Sequence, residues 1–219
     1  MINSAIILAG GIGKRFKNKT PKQFFKIDDK KLMIEYSIDR FLNNKNIDEV
    51  IVIVHKNWFD TIKNKYKNCK VFIGGNNRFD SSYIGLKKCS KNSNHVFIHD
   101  AARPLLSDYL INEGLKKIKN ADAAVPIINV NESLLSLDNL NFHYLDREKI
   151  KIIQTPQVFK FNLIKEAYNK TLFNEKFTDD LSVLFDYNNK TKFVFYTGSV
   201  NNIKITYKED LDNLNLLLK

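Results

Sequence analysis

The sequence predicts an α/β fold: a doubly wound, mostly parallel sheet flanked by helices, with a projecting β-arm. Three observations predict it. Strand-like and helix-like segments alternate along the 219 residues. The strand-like runs IILA, VIVIV, HVFIH and AAVPI are continuously apolar, as strands buried on both faces must be. The first run leads straight into a glycine-rich loop, the place where an α/β protein holds phosphate beyond the carboxyl end of a strand.

Strands are expected near 4–9, 49–54, 70–73, 95–99, 122–127, 151–153 and 192–196, and helices near 33–43, 57–67, 79–90, 107–119, 160–169, 179–187 and 208–218. The segment 129–150 breaks the alternation. Two short apolar stretches around Asp138-Asn139, a turn signal, predict an extended arm or hairpin there. An exposed arm calls for a covering surface, so a homodimer is expected. With no linker, low-complexity break or internal repeat, residues 1–219 read as a single domain.

At 43% hydrophobic and 12% aromatic residues, the chain can build a sizeable core. No run reaches the ~18 apolar residues that would cross a bilayer, and the N-terminal apolar stretch is too short for a signal peptide. Cys69 and Cys89 stand alone, without C-x-x-C or metal-ligand spacing, and read as reduced thiols of a cytoplasmic protein. The net charge of +11 is spread over the whole length. That distribution points to attraction for anionic substrates and away from nucleic acid as a partner; a non-catalytic nucleic-acid-binding domain is the alternative from another class.

Residues 4–25 read SAIILAGGIGKRFKNKTPKQFF. Gly10, Gly11 and Gly13 let backbone N–H groups approach phosphate oxygens, and Lys14, Arg15 and Lys22 supply fixed cations on a segment that Pro21 keeps from becoming a helix. Neither familiar phosphate loop fits. Phe16 stands where G-x-G-x-x-G requires glycine, and Gly13-Lys14 is followed by Arg15 where a P-loop requires Ser or Thr.

Five further clusters follow. In GGNNRFDSS (74–82) a glycine turn enters a helix, and Ser81 suits either a helix cap or a nucleotide contact. In HVFIHDAARP (95–104) Asp100 ends a central strand, where a carboxylate can hold Mg²⁺ against phosphate oxygens; pairing with Arg103 is the structural alternative. QTPQVF (154–159) reads as a polar turn with little chemistry, and FTDDLS (177–182) as a helix start capped by Thr178. In NNIKITYKEDL (201–211) Lys204 lies in a short apolar strand, where its ammonium is costly unless it reaches an anion. Arginine is rare, five residues among thirty-five cationic ones, and Arg15, Arg78, Arg103 and Arg147 all fall at or beside these motifs. A planar, permanently charged fork for phosphate explains that retention.

In this order and spacing, LAGGIGKRF with PKQF, GG…R..SS..GL, HDAARP, QTPQVF, TDD.S and NIKIT resemble the IspD family, the 2-C-methyl-D-erythritol 4-phosphate cytidylyltransferases, from about residue 4 to 212. The resemblance implies a Rossmann-like nucleotidyltransferase fold, a homodimer with swapped arms, and Mg²⁺-dependent transfer of CMP from CTP to methylerythritol phosphate. It implies that Ala9, Gly10, Gly11, Gly13, Lys22, Gly75, Ser81, Asp100 and Ala101 bind the nucleotide. Asp100 would also hold the metal, while Arg15 and Lys22 flank the reacting α-phosphate. Ser133, Lys204 and Arg147 of the partner subunit would contact the acceptor. The family's D-[ST]-x-[KR] at the start of the arm reads Glu132-Ser133-Leu134-Leu135 here. A sister cytidylyltransferase acting on ribitol 5-phosphate shares these motifs and is the alternative within the class.

Overall fold

A computed structural model describes residues 1–11, 16, 18, 20–27, 31–138 and 141–217. In chain order its strands are β1 (Ile2–Ala9), β2 (Lys26–Ile27), β3 (Lys31–Leu32), β4 (Glu49–Val54), β5 (Lys70–Ile73), β6 (Ser93–Asp100), β7 (Ala123–Asn129), β8 (Leu134–Asp138), β9 (Asn141–Leu145), β10 (Lys151–Ile153), β11 (Gln157–Lys160) and β12 (Phe193–Thr197). The helices are α1 (Met33–Leu42), α2 (Phe59–Lys65), α3 (Arg78–Lys88), α4 (Asp108–Ile118), α5 (Phe161–Lys170), α6 (Asp180–Tyr187) and α7 (Asp210–Leu217).

Among the described residues, eight strands form the central sheet. β5, β4, β1 and β6 lie side by side and parallel, and β12 pairs parallel with β7. β11 runs antiparallel between β6 and β7, and β10 pairs antiparallel with the carboxyl half of β7. β12 overlaps both β10 and β11 along β7, so those two share the other side of that strand. The chain proceeds from β1 to β4 and β5, then returns to place β6 on β1's opposite flank. This reversal opens a crevice at the carboxyl ends of β1 and β6, where such sheets receive ligands.

The continuous apolar runs serve two cores. Along β1, Ala5, Ile7 and Ala9 face a cluster with Ile34, Ile38 and Phe41 of α1, Ile62 of α2 and Leu110 of α4. Ile6 and Leu8 face the opposite cluster, with Phe79 and Leu86 of α3, Ile164 of α5 and Leu184 of α6. Period-2 geometry sends successive side chains to opposite faces, so helices on both sides demand an apolar residue at each position. A third cluster joins Phe16, Ile27, Met33, Ile205 and Leu214. Phe16, the residue that breaks the dinucleotide fingerprint, is thus buried in an apolar cluster with α1, α7 and the segment that carries Ile205.

The arm is a hairpin of β8 and β9, in which Leu135 pairs with Tyr144 and Leu137 with Phe142. Those four side chains share one face and all are exposed. Three expectations are corrected here. QTPQVF is not merely a turn: Gln157–Lys160 forms a sheet strand, since Val158 and Phe159 bury into the two cores. Lys204 lies in a segment without regular secondary structure, held by Ile205 N–H donating to Ala102 O at 2.9 Å, and not in a strand. The cap of α6 is Asp179, which accepts from Ser182 N–H at 2.9 Å, and not Thr178.

Candidate active site

Two cavities meet at the carboxyl end of β6, on either side of Asp100. The first, about 240 Å³, is lined by Ala9, Gly10, Gly11, Lys22, Gly75, Ser81 and Ala102. The second, about 250 Å³, is lined by Arg103, Lys151, Gln154, Thr155, Thr178 and Asp179. Arg78, Asp100 and Lys204 line both and form the wall between them.

The glycine loop is shaped by close packing. A Cβ on Gly10 would lie 3.0 Å from Ser81 Oγ and 3.3 Å from Gly74 Cα, so two backbones meet there with a hydroxyl between them. Gln23 fixes the loop from below, its amide donating to Ala9 O at 2.8 Å and Gly11 O at 2.6 Å. Lys22 opens a short 3₁₀ turn (Lys22–Phe24), and its ammonium donates to Ile205 O. The third apolar cluster and this bond hold the Lys22 and Lys204 segments together. Ser81 is not the cap of α3; Asn77 is, accepting from Asp80 N–H at 2.8 Å. Ser81 Oγ instead donates to Asn77 O and accepts from Gly75 N–H, which fixes the glycine turn at the cavity rim.

Asp100 is bound on three sides. Lys204 Nζ donates to Oδ2 at 2.6 Å, Arg78 Nε to Oδ1 at 3.2 Å, and its own N–H to Thr155 Oγ1 at 3.1 Å. Burial opposes its ionisation, but Arg78, Lys204 and Arg103 override that and hold the carboxyl well below the usual range. The guanidinium of the expected structural partner, Arg103, does not reach the Asp100 carboxylate, although the Arg103 N–H donates to the Asp100 backbone O at 3.0 Å. Arg103 donates instead to Asn202 O at 2.7 Å, which lies near Lys204 in the chain. His99 is fully buried between Arg103 O and Thr155 Oγ1, and burial pushes its pKa down to about 4, so it is neutral and structural.

Other expected positions fall outside this grouping. Ala101 is fully buried and lines neither cavity; Ala102 forms the wall there. Ser133 and Arg147 are exposed at the base of the arm and line neither cavity within this chain, Arg147 donating to Asn131 O at 3.0 Å. Gly13 and Arg15 lie outside the described residues. Sequence reasoning missed Gln23, Thr155 and Asp180. The scarcity of arginine and its place in GG…R..SS..GL drew attention to Arg78, without naming its partners.

A family model described as "IspD: 2-C-methyl-D-erythritol 4-phosphate cytidylyltransferase" matches residues 3–219. The chain is 34% identical to the 2-C-methyl-D-erythritol 4-phosphate cytidylyltransferase of Lachnospira eligens, over 100% of both chains. It is 39% identical to the enzyme of that name from Clostridioides difficile, over 95% of this chain and 90% of the relative. The crystal structure of the 4-diphosphocytidyl-2C-methyl-D-erythritol synthase of Anaerococcus prevotii superposes with a TM-score of 0.87 at 30% identity, covering 99% of this chain and 96% of that one. Extending over nearly every residue that builds the two cavities and the wall between them, these likenesses show that the chain belongs to the IspD family.

Proposed function

We propose that this protein transfers CMP from CTP to 2-C-methyl-D-erythritol 4-phosphate, releasing pyrophosphate, in the non-mevalonate isoprenoid pathway. One observation carries the assignment of roles: two cavities of similar size share a wall of one carboxylate and two cations, Asp100, Arg78 and Lys204. The glycine-lined cavity suits the triphosphate, and the second cavity, rich in hydroxyl and amide groups, suits a polyol phosphate. Ribitol 5-phosphate is not favoured as acceptor, because the whole-chain match is to the methylerythritol phosphate enzymes.

The chemistry needs no general base. With a second pKa of about 6, the acceptor's phosphate monoester is mostly a dianion at neutral pH. One of its oxygens forms a bond to the α-phosphorus of CTP, the α–β anhydride bond breaks, and pyrophosphate departs with the electron pair. Catalysis is then positioning together with neutralisation of charge on the transferring group. Lys22 and Arg15 are assigned to the α-phosphate, and Lys204 to the acceptor beside it. Ala9, Gly10, Gly11, Gly13, Gly75 and Ser81 are assigned to the nucleotide.

Asp100 is the wall's one oxygen donor for Mg²⁺, each of its oxygens keeping a lone pair beyond the bond from Arg78 or Lys204; Mg²⁺ takes one or two carboxylates and completes its shell with phosphate oxygens and water. Asp100 would hold it; no group of three or more His, Cys, Asp or Glu residues among the described residues offers a competing cage. A bound Mg²⁺ would neutralise phosphate charge.

The second copy enters through the arm. Leu135, Leu137, Phe142 and Tyr144 form an exposed apolar face, while Ser133 and Arg147 stand at its base away from both cavities. A homodimer that covers this face and delivers Ser133 and Arg147 to the neighbouring site accounts for both facts. No helix among the described residues is long and apolar enough to cross a membrane. The free thiols of Cys69 and Cys89 accord with a cytoplasmic location.

The decisive experiment measures pyrophosphate release from CTP with methylerythritol phosphate or ribitol 5-phosphate supplied separately, with and without Mg²⁺. Release that requires both methylerythritol phosphate and Mg²⁺ is expected. Preference for ribitol 5-phosphate, or no release at all, would sink the assignment.

A further inference from the structure

Asp180 is fully buried, and α6 does not need it as a cap because Asp179 fills that role. Both of its oxygens are engaged: Oδ1 accepts from Tyr168 Oη at 2.7 Å and Oδ2 from Arg78 Nη2 at 2.6 Å. Taking an ion pair out of water costs several kcal/mol per ion, roughly, and a well-packed apolar pair often does as well for stability. The arrangement makes physical sense when its other end is considered. The same guanidinium donates through Nε to Asp100 Oδ1, while Lys204 holds Asp100 Oδ2.

Arg78 begins α3, Asp180 begins α6 and Asp100 ends β6, so three elements converge on one planar group. A guanidinium carries its donors at fixed angles, so anchoring Nη2 on a buried carboxylate sets the direction in which Nε points. A lysine at 78 would offer a point charge and no such direction. Without the anchor, the Asp100 carboxylate could turn about its side-chain torsion, and Lys204, on a segment without regular secondary structure, would follow it.

We propose that Arg78, oriented by the buried Asp180–Tyr168 pair, is a positioning residue for the transfer reaction: it locks the Asp100 carboxylate and, through it, Lys204 between the two substrates. The inference rests on the assignment of the two cavities given above.

The test uses the full chain with CTP and methylerythritol phosphate, each varied while the other saturates. Arg78→Lys keeps the charge and loses the fork, Asp180→Asn keeps the shape and loses the charge, and Tyr168→Phe removes one hydrogen bond. Misplacing a reacting group by about 1 Å can cost roughly 10²-fold, so kcat is expected to fall about 10- to 100-fold in the first two variants and about threefold in Tyr168→Phe. KM for CTP should change by less than kcat, since Arg78 is one residue of the first cavity's lining while its glycines and Ser81 are untouched, and the Arg78→Lys, Asp180→Asn double variant should be no slower than the slower of those two singles because the residues act as a unit. A purely structural pair would lower the thermal midpoint and leave kcat of the folded enzyme unchanged. Unchanged kcat in folded variants, or multiplicative losses in the double variant, overturns the inference; should the first two variants not fold, Tyr168→Phe with unchanged kcat does the same. A wild-type chain that releases no pyrophosphate overturns the activity and this inference with it, whereas an active wild type beside unaffected variants overturns the inference alone.

Discussion

Lys204 Nζ lies 2.6 Å from Asp100 Oδ2, joining the last residue of a central strand to a segment 104 positions later in the chain. The pair sits on the wall between two cavities, with the lysine partly exposed and the carboxylate almost covered. Replacing Lys204 by Ala removes a preorganised cation. Losses for comparable groups predict a fall in kcat of about 10²–10³-fold. Steady-state pyrophosphate release, with circular dichroism as the control for folding, checks this.

Lys22 carries a similar expectation by a different route. Its ammonium is tied to Ile205 O, next to Lys204, so its position follows the third apolar cluster. Lys22→Ala should fold and lose about 10²–10³-fold in kcat, and Arg15→Ala likewise. Turnover near the wild-type level in either variant would defeat their assignment to the α-phosphate.

Gly11 and Gly75 separate space from strain. A Cβ on Gly75 would fall 2.2 Å from Asp80 Cβ, whereas one on Gly11 meets nothing within 4 Å among the described residues. Gly75→Ala should therefore lower the thermal midpoint and weaken CTP binding together. Gly11→Ala should keep the midpoint and raise KM for CTP, because the new methyl group enters the lining of the first cavity. Thermal melts with and without CTP distinguish the two patterns.

Gln23→Ala would leave the carbonyls of Ala9 and Gly11 without their donor. Gly11 is exposed and its carbonyl can turn to water, but unpairing the buried Ala9 carbonyl costs about 1–3 kcal/mol, so the variant should be less stable in urea by that order and bind CTP more weakly. Equilibrium urea unfolding measures the first effect, and nucleotide titration the second.

At the opposite edge of the sheet, Glu49 accepts from Ser4, Ser90 and Lys70. Burial works against its ionisation, but these bonds prevail and lower its pKa from 4.5 to about 2. A carboxyl whose folded pKa is depressed stabilises the protein above its unfolded value and loses that contribution as pH falls through the folded one. Stability should hold above pH 4.5 and decline between 4.5 and about 2. Glu49→Gln should flatten that decline and cost on the order of 2–3 kcal/mol at neutral pH. Urea midpoints across the pH series test both.

Much of the fold was legible because its signals are local. IILA and VIVIV are apolar at successive positions, which suits a strand covered on both faces, and Asp138 of the turn signal is the last residue of β8. The strand Gln157–Lys160 escaped because its four residues follow a proline and mix polar with apolar. Only pairing with β6 and β7 reveals that Val158 and Phe159 each face a core. The TDD cluster read as helix capping was half right. Asp179 caps α6, while its neighbour Asp180 points to Arg78 and Tyr168, and nothing in the local sequence tells two adjacent aspartates apart.

The order of strands and helices, the glycine loop after β1 and the acid at the end of β6 follow from short-range pattern and composition, since backbone geometry repeats every two or 3.6 residues. The choice of ion pairs does not. Asp100 has Arg103 three residues away, yet it pairs with Arg78 and Lys204. Which cations reach a buried carboxylate depends on the order of strands in the sheet and on the directions in which helices leave it. Those are long-range consequences of packing, and they place the glycines after β1 in one of two cavities that share a wall of Arg78, Asp100 and Lys204.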